Sequence, residues 1–435
     1  MRGDRGLGEA EQAGEVDDPR LALRETRQDR QPGGVAEGPE ERHGGGQVRR
    51  AAGGRRFHRH TPMIPAASDD RNPSVDAHDG RMTDALATPY LAVDLDVLSR
   101  NIERTAGWAR EHGLRLRPHA KTHKSPEIAR RQIESGAVGL TVATVAEGEI
   151  FCRAGATDLF VAYPVWAAGE RGARLRALAQ RVALRVGVDS VEGAQHLGIA
   201  LAGTSATVMV EVDCGMRRTG VPAGEAFEVA RAADRAGVRV AGVFTFPGHG
   251  YAPGAAARAA VEEAAALAEA AELLRTNGFA DIEVSGGSTP TLAHSDATVL
   301  TEVRPGVSVF NDAQQVELGT CGWEDVALTA VGTVVSRGGG RFVLDAGAKV
   351  LGADRPGWAT GAGRVPSMPD ARVVLLSEHH AVVEVPAGAV LPELGERVAV
   401  APNHVCAAAN LAREYVVTVA GRVTRWPVTA AGANT

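Results

Sequence analysis

The sequence predicts an α/β protein: a (β/α)8 TIM-type barrel followed by a C-terminal antiparallel β-domain. Three observations predict it. From Tyr90 to about Trp323, short apolar runs alternate with alanine-rich helical stretches; beyond Trp323 the runs turn β-branched and are broken by Gly and Pro; upstream of Met82 neither pattern is present. Repeated strand–helix alternation implies parallel strands, and so many units favour closure into a barrel over an open sheet.

Residues 1–81 are rich in Gly, Arg, Asp, Glu and Pro without an apolar period, so they cannot offset the entropy of ordering and are expected to be disordered. Their interspersed acidic residues argue against a transit peptide, and the composition break marks Met82 as a candidate start of the physiological chain. The barrel is assigned to 82–322, its first strand free to join the β-domain, and the β-domain to 323–435. A strand at Tyr90–Val93 precedes a helix over about Leu95–Glu111. The strand Leu114–Arg117 leads to a helix announced by Ser125-Pro126, an N-cap followed by proline at the first helical position. Further strands are expected near 139–143, 158–162, 183–188, 207–212, 238–244 and 282–284, with Ala255–Thr276 as the longest helix. The β-domain follows from Val331–Val335, Arg341–Leu344, Ala381–Val385 and Glu414–Val419, which alternate or stay β-branched between turns.

Composition narrows the function. The 435 residues, 44% of them hydrophobic, supply a soluble globular protein of about two domains. A net charge of −6 argues against a nucleic-acid partner. Four scattered cysteines suit a reducing compartment, no apolar run is long enough for a membrane span, and a cytoplasmic enzyme is the expectation.

Only three lysines stand against 44 arginines, and two fall together in Arg117-Pro118-His119-Ala120-Lys121-Thr122-His123-Lys124. Where charge alone is needed the chain uses Arg, so a retained lysine marks a place for an amine that loses its proton and attacks a carbonyl. Codon bias alone would also leave a few lysines. Lys121 lies just past a strand end, where barrels carry their chemistry; Lys124 reads as a solvated or phosphate-neutralising charge, and Lys349 falls in the β-domain. Gly286-Gly287-Ser288-Thr289-Pro290-Thr291 follows a late strand, and its amides and hydroxyls make an anion cradle, although such a loop is often only a turn. Coupled with a reactive lysine, it points to pyridoxal 5′-phosphate. Glu211–Gly220 ends another strand and offers Arg217 and Arg218, one of which could hold a pyridine nitrogen neutral or simply be solvated. Phe246–Tyr251 brings an imidazole, His249, and a phenol. In Pro402-Asn403-His404-Val405-Cys406, an extended chain would put His404 and Cys406 on one side, a nitrogen and a thiolate suited to Zn2+; a buried cysteine beside a polar histidine would give the same spacing.

From Leu86 to about Pro427 the chain resembles the D-threonine aldolase and D-serine dehydratase family, which shares the alanine-racemase-type barrel (fold type III) of pyridoxal-phosphate enzymes. The segments RPHAKTHK at 117–124, GGSTPT at 286–291 and PNHVC at 402–406 carry the resemblance. It implies that Lys121 holds the cofactor and acts as base, that Arg218 faces the pyridine nitrogen, and that Gly287, Ser288 and Thr289 hold phosphate. It also implies that Tyr251 lines the site and that His404 and Cys406 bind a divalent metal, Zn2+ first and Mn2+ second. Phe244 and Phe246 stand where the family often has tyrosine, and Cys406 stands where the aldolases have aspartate. The implied activity is D-serine dehydration to pyruvate and ammonia, followed in order by D-threonine aldol cleavage, amino-acid racemisation and non-catalytic cofactor binding. A D-amino acid substrate and a homodimer are implied as well.

Overall fold

A computed structural model of the chain describes residues 86–419 and 422–435. The expected disordered extension and the composition break at Met82 lie outside the described residues. In chain order the elements of the first part are β1 (Tyr90–Asp94), α1 (Leu95–Glu111), β2 (Arg115–Leu116), α2 (Pro126–Glu134), β3 (Leu140–Val142), α3 (Val145–Arg153), β4 (Asp158–Pro164) and α4 (Gly169–Ala179). Then come β5 (Ala183–Val188), α5 (Val191–Leu201), β6 (Thr207–Glu211), α6 (Ala226–Arg235), β7 (Arg239–Phe244), α7 (Ala256–Thr276), β8 (Glu283–Gly286), β9 (Glu302–Val303) and α8 (Ala313–Glu317). The second part holds β10 (Leu328–Gly338), β11 (Arg341–Leu344), α9 (Ala348–Leu351), β12 (Gly363–Arg364), β13 (Arg372–Leu376), β14 (Ala381–Glu384), β15 (Arg397–Pro402), α10 (Val405–Leu411), β16 (Glu414–Val419) and β17 (Arg422–Pro427).

Strands β2 to β9 form one parallel sheet in the order β2-β9-β8-β7-β6-β5-β4-β3. Its two edges meet: Val138 N–H donates to Leu116 O and Thr141 N–H to Pro118 O, both at 2.9 Å, which curls the sheet into a barrel. The inner strands are buried on both faces, as β6 is along its whole length, which is why they read as apolar runs without alternation. Local caps start several of the helices. Asp94 accepts from Asp96 and Val97 at the head of α1, and Thr144 and Ser190 do the same for α3 and α5. The two-residue β9 is the barrel strand the sequence pattern does not announce. It carries Glu302, whose carboxylate is fully buried and ion-paired with Arg117 at 2.8 Å, so the strand does not look apolar.

The strand β1 leaves the barrel altogether. It pairs antiparallel with β10 and parallel with β16, inside a nine-stranded sheet that is otherwise antiparallel. The interior of this second unit takes in Leu98 and Ile102 of α1 and Ile128 of α2. The two sheets therefore share a packed boundary rather than a linker. Among the described residues no helix is long and apolar enough to cross a membrane.

Candidate active site

Lys121 rides on a single 3-10 turn, Ala120–Thr122, directly after β2. His119 caps the turn, its Nδ1 accepting the Lys121 N–H at 3.4 Å. The expectation of a solvated Lys124 is corrected by the structure. Lys124 is buried, with φ +51°, and its ammonium meets the Glu147 carboxylate at 2.7 Å. The carbonyl of Lys124 accepts from Ala430 N–H at 3.0 Å, so the lysine segment is tied both to α3 and to the C-terminal segment.

A cavity of about 360 Å³ lies over the C-terminal ends of the barrel strands, bounded on one side by the second sheet. That volume is in the range of small-molecule sites. Lys121, Arg218, Tyr251, Ser288, His404 and Cys406 all line it, so residues spread over nearly 290 positions of sequence converge on one space. Burial holds the Lys121 pKa below that of a free lysine, and the charges of Arg218 and Arg304 add to this against the opposing pull of Cys406. Its Nζ sits 5.5 Å from the centre of the Phe246 ring, and the Arg218 guanidinium 5.3 Å from the same ring. His119 is pushed well below the usual imidazole range by burial and then by the neighbouring cation of Lys121, so it faces the amine as a neutral group.

The Gly-rich loop behaves in parts. Ser288 lines the cavity, its hydroxyl 2.9 Å from that of Thr291. Thr289 accepts the Ser308 N–H at 3.1 Å and hydrogen-bonds the half-buried Tyr251 phenol, whose pKa rises because of its removal from water. Gly287, in the left-handed region at φ +77°, gives its N–H to Glu263 Oε1 at 2.6 Å, so that amide is already engaged and is not a free phosphate donor. His249 does not line the cavity; its Nε2 meets Glu262 at 2.8 Å.

The expectation that His404 and Cys406 share an extended strand is also corrected. β15 ends at Pro402, His404 caps α10, and Cys406 lies in its first turn. The two side chains still interact. The Cys406 thiol is held below its usual pKa: burial opposes ionisation but is outweighed by His404, with Lys121 and a Thr122 hydroxyl 3.3 Å from Sγ assisting. His404 is correspondingly raised well above its usual range, burial being outweighed by Cys406 and Asp312. Asp312 Oδ2 lies 3.3 Å from His404 Nδ1, off-line for a full hydrogen bond, and accepts the Val405 N–H at 3.0 Å.

These donors fit both implied groups. A depressed amine facing a cavity with a serine hydroxyl and arginines suits a phosphorylated aldehyde. An imidazole beside a cysteine whose pKa is lowered offers a nitrogen and a sulfur, donor types that suit Zn2+.

Sequence reasoning missed Arg304, Asp312 and Asp354. Arg304 lines the cavity and is 5% exposed. Its Nε donates to Ser285 Oγ at 2.9 Å, another nitrogen donates to Thr245 O, and the guanidinium packs on Phe160 and Phe244. The only signal for it was its place before Pro305-Gly306, after a strand too short to recognise.

The family model "Alanine racemase, N-terminal domain" matches residues 93–314, and "Putative serine dehydratase domain" matches 327–418. The D-threo-3-hydroxyaspartate dehydratase of Delftia sp. (strain HT23) is 36% identical over 370 residues, covering 78% of this chain and 97% of that protein. The D-threonine aldolase of an Arthrobacter sp. is 32% identical, covering 79% and 93%. The solved structure of the Delftia enzyme superposes with a TM-score of 0.73 at 34% identity, over 79% of this chain and 97% of that one. Solved variants of the same enzyme replace a histidine and a cysteine two positions apart with alanine, the cysteine variant being in a metal-free form.

Proposed function

Because the chain belongs to the D-threonine aldolase and D-serine dehydratase family of fold type III pyridoxal-phosphate enzymes, we propose that it is a metal-dependent lyase of D-β-hydroxy amino acids, with D-serine dehydration as its principal reaction. The single observation that carries this reading is that the Lys121 amine and the His404–Cys406 pair line one cavity. A racemase has no use for a metal-ligating pair beside the lysine.

When bound, pyridoxal phosphate supplies an electron sink at Cα and a divalent metal supplies a Lewis acid at the β-hydroxyl. The chain's own groups do the rest. Lys121 Nζ would hold the cofactor and, as the free amine, is the group placed to take the α-proton, a role that its lowered pKa suits. His404 and Cys406 would hold the metal, and the matching two-residue spacing of the replaced residues in the Delftia enzyme supports this. Ser288 and Tyr251, with Thr289 behind them, would receive the phosphate, and Arg218 would face the pyridine nitrogen, with Arg304 the second guanidinium within the cavity wall. Water leaves, and the released enamine hydrolyses to pyruvate and ammonia.

In the second reading the hydroxyl is deprotonated and the Cα–Cβ bond breaks, giving glycine and acetaldehyde from D-threonine. The 32% identical aldolase favours keeping it. A homodimer and a cytoplasmic setting complete the proposal; the four cysteines are unpaired. The test is to supply the purified protein with pyridoxal phosphate and offer D-serine or D-threonine, with EDTA and then with added Zn2+ or Mn2+. Metal-restored pyruvate from D-serine is the expected result. Glycine from D-threonine alone would move the assignment to the aldolases, and metal-indifferent racemisation would remove the metal from the account.

A further inference from the structure

The Cys406 sulfur is met by a residue from the other end of the fold. Its Sγ donates to Thr122 Oγ1 at 3.3 Å, a contact that spans 284 residues and joins the first turn of α10 to the turn carrying Lys121. Thr122 is fully buried at the edge of the cavity. A threonine in a helical turn commonly bonds a carbonyl three or four residues back. Here the hydroxyl has no hydrogen-bond partner other than the sulfur among the described residues. The space around it is kept clear as well. Gly306 also lines the cavity, and a Cβ there would lie 2.7 Å from Thr122 Oγ1 and 3.1 Å from His119 Cβ. Any side chain at 306 would therefore have to displace the hydroxyl or the turn that bears it.

We infer that Thr122 is a positioning residue for the metal: its hydroxyl holds the Cys406 sulfur against the turn that bears Lys121 and sets how strongly that sulfur binds a divalent cation. The inference rests on the lyase reading above and deepens it. A thiol gives its proton to this hydroxyl, whereas a sulfur that holds a metal has none to give, and the hydroxyl then turns its own O–H to the sulfur. The sulfur is thus placed before the metal arrives and stays placed afterwards. A partner of this kind orients the ligand and draws electron density from it, which tunes the metal. Asp312 stands in the same relation to His404 from the start of α8. Thr122 differs in where it sits: one three-residue turn carries the amine and braces the sulfur. In the lyase reading the amine takes a proton from Cα and the metal acts at the neighbouring Cβ. The two groups must keep a set spacing, and a shared brace maintains it.

The experiment uses the intact protein loaded with pyridoxal phosphate and compares T122V and T122A, which lack the hydroxyl, with T122S, which keeps it. In the absence of substrate, both hydroxyl-free variants are expected to bind Zn2+ about tenfold more weakly against a competing chelator, with T122S close to the wild type. With Co2+ in place of Zn2+, their sulfur-to-metal charge-transfer band should move to longer wavelength, because a sulfur relieved of its hydrogen bond releases electrons more easily. A merely structural loss would weaken the band without moving it. Pyridoxal phosphate affinity should match the wild type, and D-serine turnover at limiting Zn2+ should fall with the metal affinity. Unchanged Zn2+ affinity and band position in T122V and T122A, equal losses in T122S, or a parallel loss of pyridoxal phosphate each overturn the inference and leave the lyase reading standing. A wild type whose Zn2+ affinity is the same in C406A overturns the inference together with the metal-dependent part of that reading.

Discussion

The behaviour of Lys121 follows from what surrounds its nitrogen: a neutral imidazole, two guanidinium groups and little water. K121A is expected to leave a folded protein that shows no imine absorbance with pyridoxal phosphate and no adduct after borohydride, whereas the wild type traps the cofactor at this residue. Glu263 is the less obvious residue. It is fully buried, it holds the Gly287 amide, and a side chain at Gly286 would collide with it. It thus shapes the turn that leads to Ser288. In E263A the affinity for pyridoxal phosphate is expected to fall about tenfold while that for unphosphorylated pyridoxal is unchanged, with E263Q close to wild type; equal losses for both ligands would make the role merely structural. Burial also raises the Glu263 pKa from 4.5 to about 7. Below pH 4.5 the group is protonated in both folded and unfolded chains; as pH rises toward 7 only the unfolded chain ionises freely, so folding stability falls across that window. The expected loss is on the order of 3 kcal/mol. Glu211, raised to about 6 chiefly by burial, acts in the same direction. Denaturant titrations at pH 5 and 8 should show the drop, reduced in E263Q.

Among the elements, two short connections do most of the positioning. Asp312 caps α8 through Gln315 N–H at 3.0 Å and, with its other oxygen, holds the start of α10 where His404 sits. Second-sphere carboxylates of this kind typically contribute ten- to a hundredfold in metal affinity. D312A is expected to lose Zn2+ to a competing chelator within that range, measured without substrate, while H404A loses it outright. The second connection is the buried Lys124–Glu147 pair, which joins the Lys121 turn to α3 and to Ala430. Removing one partner strands the other charge, so K124M should cost about 3–5 kcal/mol by denaturant unfolding, and K124M with E147L should recover much of it. The spacing of RPHAKTHK revealed both lysines. It did not reveal that they play opposite roles, because the partner of Lys124 lies more than twenty residues away.

For the molecule as a whole, β1 is decisive. It comes first in the described chain, yet it is locked between β10 and β16, with Leu91 and Val93 almost completely buried. A chain lacking 323–435 therefore leaves β1, α1 and α2 with their apolar faces uncovered. Such a truncation is expected to yield insoluble or molten barrel, and the full chain to unfold in one transition by circular dichroism and by tryptophan fluorescence alike. The barrel pattern was legible because strands buried on both faces must be apolar and helices between them amphipathic. β9 was hidden because its buried Glu302 answers Arg117, a pairing across more than 180 residues.

The sequence by itself determined the alternation of strands and helices, the switch to β-branched runs, and the few residues able to do amine, hydroxyl and thiolate chemistry, since these depend on side-chain identity and short-range period alone. Only the tertiary structure decided which of them meet. Lys121, Ser288 and Cys406 share a cavity because a closed barrel brings its strand ends together and a sheet that begins with β1 closes over them. The carboxylates that shape the site, from Glu263 behind the glycine turn to Asp312 at the start of α10, come from distant parts of the chain, where no local pattern could have announced them.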